Sequence, residues 1–141
     1  MTNLYNRRIG TKLIKEHKRE ADKTNGSFSL AFVDINNLKV VNDVYGHEVG
    51  DELIVTVVET IKENIRSSDF IARFGGDEFV IIFEDARAND AKTKLKNIQA
   101  EFQKINQRED YQYQVSISYG VEEYFKDREI SGDELISMAD G

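Results

Sequence analysis

Two adjacent carboxylates, Asp77 and Glu78, follow a glycine pair, Gly75-Gly76, inside the stretch ARFGGDEFVIIFED. The flanking runs FIARF and FVIIFE have the composition of strands, so the four residues read as a hairpin tip. Glycine tolerates the positive φ that tight turns need. A third acid, Asp34, stands at the end of another apolar run, SFSLAFVD. If that strand pairs beside the hairpin, Asp34 and Asp77 come to one edge of a sheet. Carboxylates brought together repel, and each raises the other's pKa. A cation normally offsets that repulsion. Mg²⁺ is the natural candidate, because it takes hard oxygen ligands and shares them with substrate phosphates. The chemistry that follows is phosphoryl or nucleotidyl transfer, with a hydroxyl activated and a leaving pyrophosphate stabilised. Taken alone, the same residues also fit a solvated turn that keeps an apolar hairpin soluble, with Asp34 as a strand-end Asx turn.

The elements that must position these acids are legible from periodicity. Ile9, Leu13, Ile14, His17 and Ala21 predict a helix from Arg8 to Lys23, ended by Asn25-Gly26. A strand runs to Asp34. Leu38 to Tyr45 forms a short helix or turn closed by Gly46. Asp51 to Arg66 carries a broad apolar stripe of Leu53, Ile54, Val57, Val58, Ile61 and Ile65. The hairpin strands lie near Phe70–Phe74 and Glu78–Phe83. Asn89 is expected to cap a helix marked by Ala91, Leu95, Ile98, Phe102 and Ile105. Tyr111 to Val121 alternates as a strand, and Ser131 with Glu134 forms a capping box for a last helix. The expected class is α+β, an α/β sandwich with a mixed, mainly antiparallel sheet flanked by helices.

The chain has 141 residues, 40% hydrophobic and 32% charged, which suggests one domain with a real core. It has no cysteine, so disulfides and thiolate metal sites are excluded. No apolar run approaches the length of a membrane span, and the N-terminus has no signal-peptide core. A cytoplasmic location is expected, with any membrane attachment through a region not present. The formal net charge of -7 opposes binding to nucleic acid. It leaves room for a small phosphate ligand bridged to carboxylates by a divalent cation.

Four blocks occur together and in order. RFGGDEF resembles the name-giving motif of the GGDEF family, the diguanylate cyclases. DINNLKVVNDVYGHEVGD (Asp34 to Asp51) resembles its upstream block D-x-D/N-x-F/L-K-x-x-N-D-x-x-G-H-x-x-G-D. TNLYNRR resembles its opening L-T-x-L-x-N-R-R, and VSISYGV its late strand. The resemblance covers essentially all of residues 1–141 as a single GGDEF domain. It implies a fold similar to the palm of adenylyl cyclases and polymerases. It also implies condensation of two GTP into cyclic di-GMP with release of two pyrophosphates.

The resemblance further implies residue roles. Asp34, Asp77 and the backbone carbonyl of Ile35 would hold Mg²⁺, with Mn²⁺ as the alternative ion. Asp77 would take the ribose 3′-hydroxyl proton beside Glu78, a second essential acid. Asn42 and Asp51 would read guanine, His47 would lie at the same pocket and Lys39 near the phosphates. Asp51 can accept from guanine N1–H and N2–H₂, whereas adenine N1 would face it with a lone pair, which favours GTP over ATP. Gly75 and Gly76 would let the backbone approach the triphosphate. Arg66 and Asp69 resemble the R-x-x-D site at which product cyclic di-GMP inhibits such enzymes. Asn36 stands where many members have Asp. The family usually continues past MAD with A-L-Y-x-A-K-x-x-G-R-N and a final strand, so a domain truncated at the C-terminus and without a sensory domain is expected. A two-fold symmetric product made from one pocket per domain implies a homodimer at catalysis. The alternative is a non-catalytic module that binds GTP or cyclic di-GMP and signals through a partner.

Overall fold

The strand that delivers Asp34 lies inside the sheet. In the computed structural model, which describes residues 4–108 and 113–140, β2 spans Ser27–Ile35 and is buried along most of its length. Such a strand needs a neighbour on each side and a covered surface on each face. β4 (Glu78–Glu84) pairs with it antiparallel on one side, and β5 (Ile117–Phe125) antiparallel on the other. β3 (Phe70–Arg73) pairs antiparallel with β4 through the predicted hairpin. A two-residue strand that the sequence reading did not anticipate, β1 (Tyr5–Asn6), adds parallel to β3. The sheet order is therefore β1-β3-β4-β2-β5, mixed but mainly antiparallel as expected.

Side chains alternate across the sheet and divide the core in two. Ala31, Val33, Ile35, Phe79, Ile81 and Phe83 face α2 (Leu38–Tyr45), α3 (His47–Glu63) and α4 (Ala88–Asn106). Phe28, Leu30, Phe32, Val80 and Ile82 face α1 (Arg7–Thr24) and α5 (Gly132–Asp140). Helices cover both faces. Among the described residues, no helix is long and apolar enough to cross a membrane.

Several boundaries differ from expectation for local reasons. α1 starts where the Asn6 side chain accepts from the Ile9 N–H at 2.9 Å, and it ends at Asn25 in the left-handed region (φ 56°). Ile9 itself is exposed and lies outside the core stripe. α3 begins at His47, a full turn before Asp51, because Gly46 (φ 95°) makes the only break between it and α2. It ends at Glu63, so Ile65 and Arg66 follow it. α4 is not capped by Asn89. Its N-cap is Arg87, whose N–H donates to the Asp90 carboxylate at 3.0 Å. The last strand starts at Ile117 and runs on to Phe125. Val115 lies buried ahead of it, and Tyr111 falls outside the described residues. The Ser131–Glu134 capping box forms as expected, with reciprocal bonds of 3.1 and 3.2 Å. Gly120 in β5 lets α5 approach, since a Cβ there would collide with the Ala139 carbonyl oxygen.

Candidate functional site

The register of β2 with β4 sets Asp34 directly opposite Glu78. By alternation both fall on the α1/α5 side of the sheet, continuing the rows Phe28, Leu30, Phe32 and Val80, Ile82. Directly opposed residues hold their Cβ atoms roughly 5 Å apart, and like charges so placed repel. Asp77 sits one residue earlier, at the tip. Its carbonyl accepts from the Ile35 N–H at 2.9 Å, which ties the hairpin tip to the end of β2. The structure thus brings Asp34, Ile35, Asp77 and Glu78 together. The sequence predicts Asp34 and Asp77 at one edge of the sheet, and the structure brings them there; the residue directly across from Asp34 is Glu78.

Electrostatics single out Asp34. Its carboxyl is raised above the ordinary aspartate range, first by desolvation and then by the negative charges of Asp77, Glu78 and Asp140. Asp140 comes from the end of α5, and the sequence reading missed it, because only the tertiary packing of that helix aims its end at β2. Among the described residues, no three His, Asp or Glu side chains are grouped closely enough to hold a metal ion by themselves. The oxygen donors that are present fit a hard cation that fills its shell from backbone, water and ligand phosphates.

The turn itself departs from the expected glycine chemistry. Among the described glycines only Gly46 has a positive φ, so Gly75 and Gly76 are not left-handed. The Glu78 carboxylate folds back over Gly75, so a Cβ there would force that side chain to move. At Gly76 a Cβ would meet nothing within 4 Å, so the outer side of the tip is open. The Phe74 and Gly75 N–H groups both donate to the Glu78 carbonyl, at 2.8 and 3.2 Å. Arg73, which the sequence reading gave no role, folds over the turn. Its Nε donates to the Gly75 carbonyl at 3.1 Å and a terminal nitrogen to the Gly76 carbonyl at 2.8 Å.

Asn36 is held on the opposite side. Its amide nitrogen donates to the Ser116 hydroxyl at 2.9 Å, and its carbonyl oxygen accepts from the Ser118 hydroxyl at 2.7 Å. Asn37 turns the chain in the left-handed region (φ 64°), and α2 begins at Leu38. Lys39 is exposed on α2, while Asn42 is half-buried with its side chain packed against Gly50 of α3. His47 and Asp51, both exposed, lie one turn apart on one face of α3. These four residues form a second cluster around the α2–α3 elbow, linked to the carboxylates by the short segment after Ile35.

Arg66 and Asp69 occupy the other end of the sheet. The Asp69 side chain is fully buried. Its oxygens accept from the Arg66 N–H at 2.8 Å, the Arg66 guanidinium at 3.1 Å and the Glu84 N–H at 2.9 Å. The same guanidinium donates to the Glu84 carbonyl. Asp69 is therefore committed to staple the β3 entrance to the β4 exit, and a ligand would have to displace those bonds to reach it. Arg66 keeps 49% of its side chain exposed and borders a cavity of about 700 Å³ with Tyr5, Lys62 and Phe70.

Comparison with known proteins agrees with this geometry. The family model for the diguanylate cyclase GGDEF domain matches residues 1–141. The bifunctional diguanylate cyclase/cyclic di-GMP phosphodiesterase MucR of Pseudomonas aeruginosa is 34% identical over 124 residues, which is 88% of this chain and 18% of that protein. Diguanylate cyclase DosC of Escherichia coli is 34% identical over 104 residues, 74% of this chain and 23% of that protein. The chain thus spans about a fifth of the length of these curated relatives. Among solved structures, the GGDEF domain of DgcB from Caulobacter crescentus, in complex with c-di-GMP, superposes with a TM-score of 0.89 at 29% identity, covering 99% of this chain and 82% of that one. The GGDEF domain of PA1120 from Pseudomonas aeruginosa gives 0.88 at 28% identity, covering 99% and 88%. With the whole sequence matched and the sheet order, hairpin and carboxylate edge in place, the chain belongs to the diguanylate cyclase GGDEF domain family.

Proposed function

We propose that this chain is a diguanylate cyclase catalytic domain, joining two GTP into cyclic di-GMP. One observation carries the reading: Asp34 and Glu78 are register-locked opposite each other beside Asp77, with the Asp34 carboxyl raised above its ordinary range by desolvation and by the negative charges around it. A fold does not keep such an arrangement for stability, because like charges directly opposed are destabilising. Asp34, Asp77 and the Ile35 carbonyl would hold Mg²⁺. Bound there, the ion would neutralise triphosphate charge and assist departure of pyrophosphate.

The remaining steps belong to the chain. Asp77, exposed at the tip, takes the proton of a ribose 3′-hydroxyl. That oxygen forms a bond to the α-phosphorus of the other GTP, and the bond from that phosphorus to the bridging oxygen breaks. Pyrophosphate leaves with the electron pair. The second bond forms by the same step with the nucleotides exchanged, so two GTP give one ring and two pyrophosphates. Glu78 sets the charge beside Asp77. Asp51 and Asn42 accept and donate at the guanine edge, with His47 and Lys39 bordering the nucleotide. The open side of Gly76 supports backbone approach to the phosphates. Product inhibition is read as acting through the exposed Arg66, with Asp69 as its buried anchor. The reaction is placed in the cytoplasm, where GTP is made.

The test is incubation with GTP and Mg²⁺ at high protein concentration, with nucleotides separated and identified, beside D77A. Cyclic di-GMP from the unmodified chain and a loss of at least 100-fold in D77A is the expected outcome, of the size seen when a general base is removed. Equal nucleotide binding in both proteins with no product from either would support the non-catalytic module instead.

A further inference from the structure

We propose that Arg73 is a positioning residue for catalysis, acting through the turn that carries Asp77 and Glu78. This inference rests on the cyclase reading above. A four-residue tip without left-handed glycine lacks the usual backbone lock of a tight hairpin. The Phe74 and Gly75 N–H groups both donate to the Glu78 carbonyl and the Asp77 carbonyl accepts from Ile35, which leaves the Gly75 and Gly76 carbonyls to be satisfied by a side chain. Arg73 satisfies both. Its planar fork bonds the two successive carbonyls at 3.1 and 2.8 Å. Its guanidinium carbon lies 5.9 Å from the centroid of the Phe79 ring, a buried side chain that follows Glu78 directly. One side chain thus spans the turn from its entrance to the first core residue after it.

The chemistry fits this task and few others. The fork points two donors in fixed directions, which a flexible ammonium cannot reproduce. The bonds are partly exposed, so their contribution to global stability is small, whereas an error of about 1 Å in a reacting group costs on the order of 100-fold in rate. Arg73 therefore bears on turnover more than on folding.

The experiment measures kcat and KM for GTP, with thermal unfolding, on the wild-type chain, R73Q and R73K. The expected result is a kcat at least tenfold lower in R73Q with KM within threefold and the unfolding midpoint nearly unchanged. R73K, keeping a cation but not the fork, should recover only part of the rate. R73Q with wild-type kcat, or with a rate loss that merely follows the loss of folded protein, would overturn the positioning role alone. All three proteins are assayed fused to a parallel dimeric coiled coil, so that the facing copy is supplied; a wild-type fusion that binds GTP and Mg²⁺ yet makes no cyclic di-GMP would overturn the cyclase reading and the positioning role with it.

Discussion

Asp34 is the residue on which the site's electrostatics can be tested directly. Its folded-state pKa lies above that of an unfolded chain, so between the two values the folded protein holds a proton that the unfolded chain has released. Stability then falls as pH rises through that window, just above the ordinary aspartate range, and the cost persists at neutral pH. D34N removes the charge and keeps the shape. It should raise the unfolding midpoint at pH 7 in the absence of divalent cations and flatten the acid side of the stability profile. On the proposed Mg²⁺ site, the rise in midpoint expected when Mg²⁺ is added to the wild-type chain should be absent in D34N. Thermal unfolding across pH, with and without Mg²⁺, checks all three. A midpoint lowered by D34N would mean that the acid is structural.

At the scale of elements, the sequence disclosed most of what periodicity controls. The α1 and α3 stripes, the hairpin and the Ser131 cap were readable because each is local. Register was not: whether Asp77 or Glu78 opposes Asp34 depends on a one-residue offset that both patterns tolerate. The role of Arg73 was hidden for a similar reason, since it depends on where two carbonyls point. Asp140 needed the packing of α5, and β1 is too short to have a pattern. The Arg66–Asp69 corner reads in sequence as a ligand motif and in structure as a staple between β3 and β4. Asp69 satisfies two backbone N–H groups and a guanidinium from a fully buried position. D69A should therefore cost about 3 kcal/mol of folding stability by urea unfolding, as expected when buried donors lose their acceptor. A cost below about 0.5 kcal/mol, the usual range for surface changes, would deny it the anchoring role.

For the whole molecule, the sheet keeps its two polar ends apart. Asp34 pairs with Glu78 and Phe28 with Glu84, so roughly 20 Å of strand separates the carboxylate edge from the Arg66 corner. A ligand at one end cannot touch the other, and any influence between them must pass along β4 and β2. On the proposed function, the carboxylate edge is one half-site. A two-fold product requires a second copy facing it, and the net charge of -7 opposes that encounter without help. The most direct measurement fuses the chain to a parallel dimeric coiled coil, supplies GTP and Mg²⁺, and follows cyclic di-GMP and pyrophosphate together. The account predicts two pyrophosphates per cyclic di-GMP, at a rate per domain well above that of the unfused chain at the same concentration. A dimeric fusion that binds GTP and Mg²⁺ yet releases neither product would contradict it.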